Sequence, residues 1–194
     1  MDKLRLAILV SGSGRSLENL AQLVGQQALD CELGLVLSDR DGIQALERAE
    51  RLGIEPLVVP YRELGSAQAF SKRAFQEIEA RGCNRVVLAG FLRLLKLPPD
   101  WTGRVMNIHP SLLPKYGGKG FYGERVHRAV LDAGESMTGC TVHLVDDQYD
   151  RGKILLQREV PVEPGDTPET LGARVFEEEK RALPDAIRMW IAEA

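Results

Sequence analysis

Residues 4–16 read LRLAILVSGSGRS, and this stretch indicates the class of fold more clearly than any other. The apolar run over residues 4–10 is typical of a buried strand. A turn rich in glycine and serine follows, and helix-like sequence then covers residues 16–27. A buried strand that passes through such a turn into a helix is the opening of a βα unit.

Strands and helices continue to alternate through the first half of the chain. Further strand-like runs cover residues 32–37, 56–59 and 85–89, and helix-like runs cover residues 43–52 and 67–81. Such alternation is typical of parallel strands that are joined by right-handed crossovers. We therefore predict a single Rossmann-like, doubly wound α/β sheet that is mostly parallel in the amino-terminal half.

The second half of the chain has a different pattern. A strand, a helix and two longer strands are predicted over residues 104–108, 124–132, 137–145 and 154–162. The two longer strands predict an antiparallel extension of the same sheet. A last helix should begin with Thr167 as its N-cap and Pro168 at its first position, and Pro184 should kink or interrupt it. Because the chain has no repeat and no linker-like tract, we predict a single domain, 1–194.

The composition and charge argue against several classes of function. A net charge of −3 provides no broad basic surface for nucleic acid, so a small anionic ligand is the favoured partner. The first apolar run is far too short for a signal peptide or a membrane span, so no membrane contact is expected. Cys31, Cys83 and Cys140 are scattered, which indicates reduced thiols and a cytoplasmic protein. The three histidines lack the spacing of zinc ligands, so we expect no metal.

The turn after the first strand is a candidate anion site. Backbone N–H groups at the start of the following helix can face a phosphate, which makes Gly14, Arg15 and Ser16 candidate ligands. The turn does not match a dinucleotide fingerprint, because Leu17 stands where a third glycine is required, and it is not a P-loop. The alternative is an ordinary βα turn without a ligand.

The segment Asn107-Ile108-His109-Pro110 carries candidate catalytic groups. Proline favours an extended backbone before it, so the side chains of Asn107 and His109 should project to the same side. An amide and an imidazole at one place can hold a tetrahedral oxyanion, and a carboxylate beside them can help to move a proton. The alternative is a strand end with a capping Asn and a structural His, followed later by a solvated acidic turn. The candidate carboxylates are Asp146, Asp147 and Asp150.

Four segments, taken together and in order, carry a resemblance that covers nearly the whole chain. They are Val10-Ser11-Gly12-Ser13-Gly14, Leu88-Ala89-Gly90-Phe91-Leu92-Arg93, Asn107-Ile108-His109-Pro110-Ser111-Leu112-Leu113-Pro114 and Tyr149-Asp150-Arg151-Gly152. In these segments the chain resembles the phosphoribosylglycinamide formyltransferases, which are folate-dependent enzymes of purine synthesis. The third segment also recurs in other formyltransferases, so the ordered set is more specific than any one member. The resemblance implies the formyltransferase fold.

The resemblance also implies a reaction and its participants. The primary amine of glycinamide ribonucleotide would attack the formyl carbon of the co-substrate 10-formyltetrahydrofolate, without a metal. Asn107 and His109 would stabilise the tetrahedral oxyanion, and Asp150 would orient His109 and assist proton transfer. The partners would be these two small molecules only, and the protein would be a monomer or a homodimer.

Binding roles follow from the same resemblance. Residues 1–100 would form a phosphoribosyl-binding half, and residues 101–194 a folate-binding and catalytic half. The ribonucleotide would contact Gly14, Arg15, Ser16 and Glu179, although a solvated helix face is the alternative for Glu179. The folate would contact Leu92, Arg93, Leu94, Leu95 and Asn107.

Two further histidines and one loop lie near the predicted site. His143 has the flanking pattern of an ordinary strand, which favours a packing role or a supporting role behind the catalytic residues over catalysis. His127 stands in a helix-like run, and we expect it to be exposed or to cap the helix. The glycine-rich segment 117–123 is predicted to be a mobile loop beside the site.

Three other functions remain open at this point. Methionyl-tRNA formyltransferase and formyltetrahydrofolate hydrolase share the folate chemistry, but each family carries an additional domain that the predicted single domain lacks. The third alternative is a module that binds a phosphorylated ligand without catalysis. It would rest on the glycine turn alone and would leave Asn107, His109 and Asp150 unexplained.

Overall fold

The computed structural model describes residues 3–192, so the ends of the predicted domain, residues 1–2 and 193–194, lie outside the described residues. The strands are β1 (Arg5–Val10), β2 (Glu32–Ser38), β3 (Pro56–Val58), β4 (Arg85–Leu88), β5 (Val105–His109), β6 (Met137–Leu144) and β7 (Ile154–Pro161). The helices are α1 (Arg15–Gly25), α2 (Gln44–Arg51), α3 (Tyr61–Leu64), α4 (Ala67–Ala80), α5 (Glu124–Asp132) and α6 (Pro168–Ala192). No helix within the described range is long and apolar enough to cross a bilayer.

All seven strands form one sheet in the order β3-β2-β1-β4-β5-β6-β7. The strands from β1 to β5 pair in parallel, whereas β6 pairs antiparallel to β5 and β7 antiparallel to β6. The predicted α/β class, with a parallel first half and an antiparallel extension, is therefore confirmed.

Helices cover both faces of the sheet, which explains why β1 is apolar at every position after Arg5. Leu6 and Ile8 point to one face and pack with α1, α2 and α6, while Ala7 and Leu9 point to the other and pack with α4. Successive residues of a strand face opposite sides, so a strand between two helical layers is apolar wherever it is buried. These four side chains are fully buried.

The last helix begins as predicted but does not end at its proline. The Thr170 N–H donates to Thr167 Oγ1 at 3.3 Å, and the Thr167 N–H donates to Thr170 Oγ1 at 2.9 Å, which is a reciprocal cap. The helix then continues through Pro184, so the expected interruption is wrong. Pro184 is buried together with its neighbours Leu183 and Ile187, and this packing outweighs the single backbone hydrogen bond that proline cannot make.

The strand order creates a crevice at one edge of the sheet. The chain leaves β1 toward β2 and β3 on one side and returns on the other side through β4. In open α/β sheets, ligands bind beyond the carboxyl ends of the strands where the order reverses in this way. A hydrogen bond of 3.2 Å from the Ser11 N–H to the Gly90 carbonyl joins the two segments at that point.

Candidate active site

A cavity of about 530 Å³ opens at the carboxyl ends of β1, β4 and β5. A second cavity of about 40 Å³ lies beside it. Phe91, Arg93, Asn107, Tyr149 and Asp150 line both, so the two cavities meet at these residues. Two of the five are predicted catalytic residues.

The glycine turn forms one part of the large cavity. Gly14, the N-cap of α1, has a left-handed backbone with φ of 76°, and a Cβ on it would lie 2.7 Å from the Ala45 Cβ. Both the conformation and the available space therefore require glycine. Gly14, Arg15 and Ser16 line the cavity, and the Arg15 guanidinium lies 4.1 Å from the centre of the Phe176 ring. A helix amino terminus beside a guanidinium favours a bound anion.

The three predicted catalytic side chains lie together. Asn107 and His109 occupy alternate positions of β5 and project to the same side, and Asp150 comes from the turn after β6. Asn107 Nδ2 is 3.3 Å from Asp150 Oδ1, and His109 Nδ1 is 3.6 Å from Asp150 Oδ2. The other candidate carboxylates, Asp146 and Asp147, line neither of these two cavities.

The backbone aims the Asp150 carboxylate inward. Asp150 has a φ of 55°, which is uncommon for a residue other than glycine, and its Oδ2 accepts the Gly118 N–H at 2.8 Å. Burial raises the pKa of Asp150, but the neighbouring rings of His143 and His109 and the Gly118 N–H together bring this pKa below its usual value. Asp150 is therefore ionised at neutral pH.

His109 is held in one tautomer. Its side chain is buried, and Nε2 donates to the backbone carbonyl of Tyr116 at 2.8 Å, which turns Nδ1 toward Asp150. A carbonyl can only accept, so Nε2 carries the hydrogen. Burial lowers the pKa of His109 and outweighs the opposing effect of Asp150, so the imidazole is neutral at neutral pH.

His143 contacts Asn107 and Asp150 from the side of the small cavity. Its Nδ1 donates to the Leu144 carbonyl at 2.8 Å, so Nε2 is an acceptor and receives a hydrogen of Asn107 Nδ2 at 3.0 Å. The same Nε2 is 3.5 Å from Asp150 Oδ1. His143 is buried and lines only the small cavity. Its position is that of a residue that orients Asn107.

A buried carboxylate fixes the segment that follows β4. Asp39 Oδ1 accepts from Ser11 Oγ at 2.7 Å and Asp39 Oδ2 accepts from Arg93 Nε at 2.8 Å, while Ser11 Oγ accepts the Leu92 N–H at 3.1 Å. Burial raises the pKa of Asp39, but hydrogen bonds from Ser11, Arg40 and Arg93 bring it below its usual value. Asp39 is not among the residues that the sequence predicts for the site, because an acidic residue in a turn after a strand is common.

The predicted folate residues line both cavities. Leu92 and Arg93 line the large cavity, and Arg93, Leu94 and Leu95 line the small one. The Arg93 guanidinium also lies 4.6 Å from the centre of the Tyr61 ring. The segment thus forms a wall that is apolar apart from Arg93, whose charge is paired with Asp39.

Glu179 of α6 reaches the large cavity beside Arg15. It lines the wall together with Val175 and Phe176 of the same helix face. Withdrawal from solvent raises the pKa of Glu179 to about 7, and the charge of Arg15 lowers it only in part. Glu179 therefore faces the cavity and does not lie on a solvated face of the helix.

The glycine-rich segment closes one side of the large cavity. Gly118, Lys119, Phe121 and Tyr122 line it, and both aromatic side chains are more than a third exposed. Lys115 does not line the cavity and pairs instead with Glu135 at 2.8 Å.

His127 contradicts its prediction. The sequence predicts an exposed or capping residue, but His127 is 6% exposed and lines the large cavity. It lies on the buried face of α5 with Val126 and Val130. The spacing of these valines is the signal that identifies the inward face, since residues three and four apart share one side of a helix.

The remaining candidate groups are possible metal ligands and the three cysteine thiols. No group of three or more His, Cys, Asp or Glu side chains in residues 3–192 is placed to hold a metal ion. Cys31, Cys83 and Cys140 are buried free thiols. Burial raises the pKa of Cys31 to about 11 and that of Cys140 to about 12, so neither is a ready nucleophile.

A comparison with known protein families agrees with the fold and the site described above. The sequence profile of the formyl transferase family matches residues 4–187, which is almost the full length of the chain. The chain therefore belongs to the formyl transferase family.

Two proteins of known function are similar to this chain in sequence. The trifunctional purine biosynthetic protein adenosine-3 of Gallus gallus is 40% identical over 190 residues, which are 97% of this chain and 18% of that protein. Phosphoribosylglycinamide formyltransferase, chloroplastic, of Arabidopsis thaliana is 34% identical over 186 residues, which are 94% of this chain and 64% of that protein. The chain thus spans only part of either relative.

A solved structure is similar over most of its length. The crystal structure of glycinamide ribonucleotide transformylase 1 from Symbiobacterium toebii superposes with a TM-score of 0.90 at 37% identity. The match covers 97% of this chain and 87% of that one. The resemblance to phosphoribosylglycinamide formyltransferases that the sequence carries is confirmed.

Proposed function

We propose that this protein transfers the formyl group of 10-formyltetrahydrofolate to the primary amine of glycinamide ribonucleotide in purine biosynthesis. One observation carries the proposal: Asn107 and Asp150 stand where the two cavities meet, with His109 beside them. The amino terminus of α1, which would bind an anion, lines the large cavity, and a mainly apolar wall lines the small one. A phosphorylated amine and a pterin ring would thus meet at the catalytic side chains.

The chemistry divides among the three residues. The amine nitrogen bonds to the formyl carbon, and the oxygen of the tetrahedral intermediate takes hydrogen bonds from Asn107 and from His109 once its Nδ1 has taken up the proton that the amine releases. Asn107 already donates to His143 at 3.0 Å, so the hydrogen on its longer contact, 3.3 Å to Asp150, is the one available to the oxyanion. Hydrogen bonds of catalytic groups are often long in the absence of substrate and shorten only when the substrate is bound.

Asp150 is the acceptor for the proton that the amine loses. Its ionised carboxylate faces His109 Nδ1, so the proton can reach it directly, through water or through the imidazole. The same proton then goes to the folate nitrogen as the bond between that nitrogen and the formyl carbon breaks. The step needs no metal and no oxidant.

Further assignments complete the proposal. Gly14, Arg15, Ser16 and Glu179 would hold the ribonucleotide, and Leu92, Arg93, Leu94 and Leu95 the folate. Residues 1–194 would form one domain, with a phosphoribosyl-binding half over 1–100 and a folate-binding and catalytic half over 101–194. We also propose a cytoplasmic monomer or homodimer, which the buried reduced thiols support.

An acceptor panel tests the function. Purified protein is mixed with 10-formyltetrahydrofolate and either glycinamide ribonucleotide, initiator tRNA or water alone, and release of tetrahydrofolate is followed with product analysis. We expect rapid formylation of the ribonucleotide only. Formylation of the tRNA, or hydrolysis at the same rate without an acceptor, would assign a different folate enzyme, and no release at all would favour a binding module.

A further inference from the structure

One buried imidazole in the large cavity has no part in the mechanism above. His127 of α5 lies in the wall of that cavity, to which Arg15 and Glu179 also contribute. His109 lines the same cavity. His127 is thus near both the reacting centre and the anion site.

The two ring nitrogens of His127 have different surroundings. Nδ1 is sealed from solvent and has no hydrogen-bond partner among residues 3–192. A buried N–H group without a partner is rarer in native structures than a buried acceptor without one. Nδ1 is therefore the bare acceptor, and Nε2 carries the hydrogen.

Packing holds the ring in one place. A Cβ built on Gly172 of α6 would lie 2.9 Å from His127 Cδ2 and 3.1 Å from Nε2. Only glycine at position 172 leaves room for the ring edge that bears Nε2. Gly172 itself lines the large cavity, so this ring edge lies at the cavity wall.

We propose that His127 donates its Nε2 hydrogen to an oxygen of the phosphoribosyl group of the substrate, which makes it a binding residue for the ribonucleotide. The inference rests on the proposed function and extends it to a residue for which the sequence predicts no ligand. Burial lowers the pKa of His127, so the ring serves as a neutral donor at neutral pH. A neutral donor beside Arg15 avoids repulsion between two cations.

A direct binding measurement tests this role without turnover. The affinity for glycinamide ribonucleotide is measured by calorimetry in the absence of folate, for the wild type and for His127→Leu, His127→Gln and Gly172→Ala. The Leu variant should bind about tenfold more weakly, as expected for one lost hydrogen bond. The Gln variant keeps an N–H near the position of Nε2 and should recover part of that loss. Folate affinity should stay within twofold of the wild type in all variants.

Gly172→Ala tests the position of the ring while keeping the imidazole. The added methyl group should displace the ring edge and weaken ribonucleotide binding. In the double variant with His127→Leu the imidazole is already gone, so Gly172→Ala should cause no further loss of affinity there. If His127 only packs against its neighbours, the Leu variant should be stable and should bind the ribonucleotide with unchanged affinity. That result would overturn this inference but would leave the proposed function standing. If the wild type binds no ribonucleotide, the proposed function fails and the inference with it.

Discussion

Single side chains set the charge state of the reacting centre. Asp150 is ionised because its neighbours outweigh the effect of burial, and His109 is neutral because burial outweighs the effect of Asp150. The pair therefore carries one negative charge before the substrates bind, and this charge can accept the proton that the attacking amine releases.

Removal of the Asp150 charge should stop turnover but preserve the fold. Asp150→Asn keeps the shape of the side chain, and we expect kcat to fall at least about 10²–10³-fold, as for the loss of one group that stabilises the transition state. Asp147→Asn is the matched control, because Asp147 is an exposed carboxylate of the same turn. Steady-state rates and thermal unfolding of both variants test this, and a near wild-type rate in Asp150→Asn would remove Asp150 from the mechanism.

His143 should affect catalysis through Asn107. His143→Phe leaves a hydrogen of Asn107 and the Leu144 carbonyl without their partner, so the amide is free to turn. We expect kcat to fall roughly 5–30-fold, in line with about 1–2 kcal/mol for an unpaired buried group. The KM values should change little, whereas His143→Gln should restore part of the rate. A drop in affinity with unchanged kcat would argue for a contact with substrate instead.

The raised pKa of Glu179 makes a prediction about stability and pH. Its pKa of about 7 in the folded protein lies above the value of 4.5 expected in the unfolded chain, so the ionised form is disfavoured by folding. The resulting destabilisation is absent below about pH 4.5 and fully developed above about pH 7. We therefore expect Glu179→Gln to be more stable than the wild type at pH 8, by about 1 kcal/mol for a partly exposed group, and equally stable at pH 4.5. Urea unfolding at both pH values measures the difference, and equal stabilities at pH 8 would contradict the raised pKa.

At the scale of elements, the junction of β1 and α1 depends on one glycine. Gly14→Ala places a methyl group 2.7 Å from the Ala45 Cβ in a left-handed backbone, so we expect a loss of about 1–3 kcal/mol in the free energy of unfolding. The variant should also bind ribonucleotide more weakly, because the first turn of α1 must shift. Gly12→Ala is the control for stability, since its added Cβ would have no heavy atom within 4 Å. Equal denaturation midpoints for the two variants would show that the junction tolerates a side chain.

The segment after β4 shows why local sequence can indicate a helix where none forms. Residues 91–95 alone have the composition of a buried helix start, yet they are irregular. The Leu92 N–H donates to Ser11 Oγ and the Lys96 N–H donates to Ser71 Oγ, so distant side chains replace the helical partners of this backbone. Pro184 is the reverse case, because burial retains a helix that its local sequence would interrupt.

At the scale of the whole molecule, the sheet was predictable because its pattern is local. Each βα unit carries its own apolar run and turn, and right-handed crossovers then order the parallel strands. The position of Asp150 required the family resemblance, since 43 residues separate it from Asn107. Antiparallel pairing sets His143 opposite Asn107, and the turn after β6 therefore starts beside the catalytic strand. The inward face of His127 and the anchor at Asp39 depend on packing between elements, which no short segment specifies.

A structure of the complex with glycinamide ribonucleotide and a non-transferable analogue of formyltetrahydrofolate is the most direct test of the account. We expect the phosphate at Gly14, Arg15 and Ser16 and the pterin beside Leu94 and Leu95. The oxygen that corresponds to the formyl oxygen should lie about 2.7–3.1 Å from the donors of Asn107 and His109. An analogue whose corresponding carbon lies away from Asn107, His109 and Asp150 would contradict the central claim.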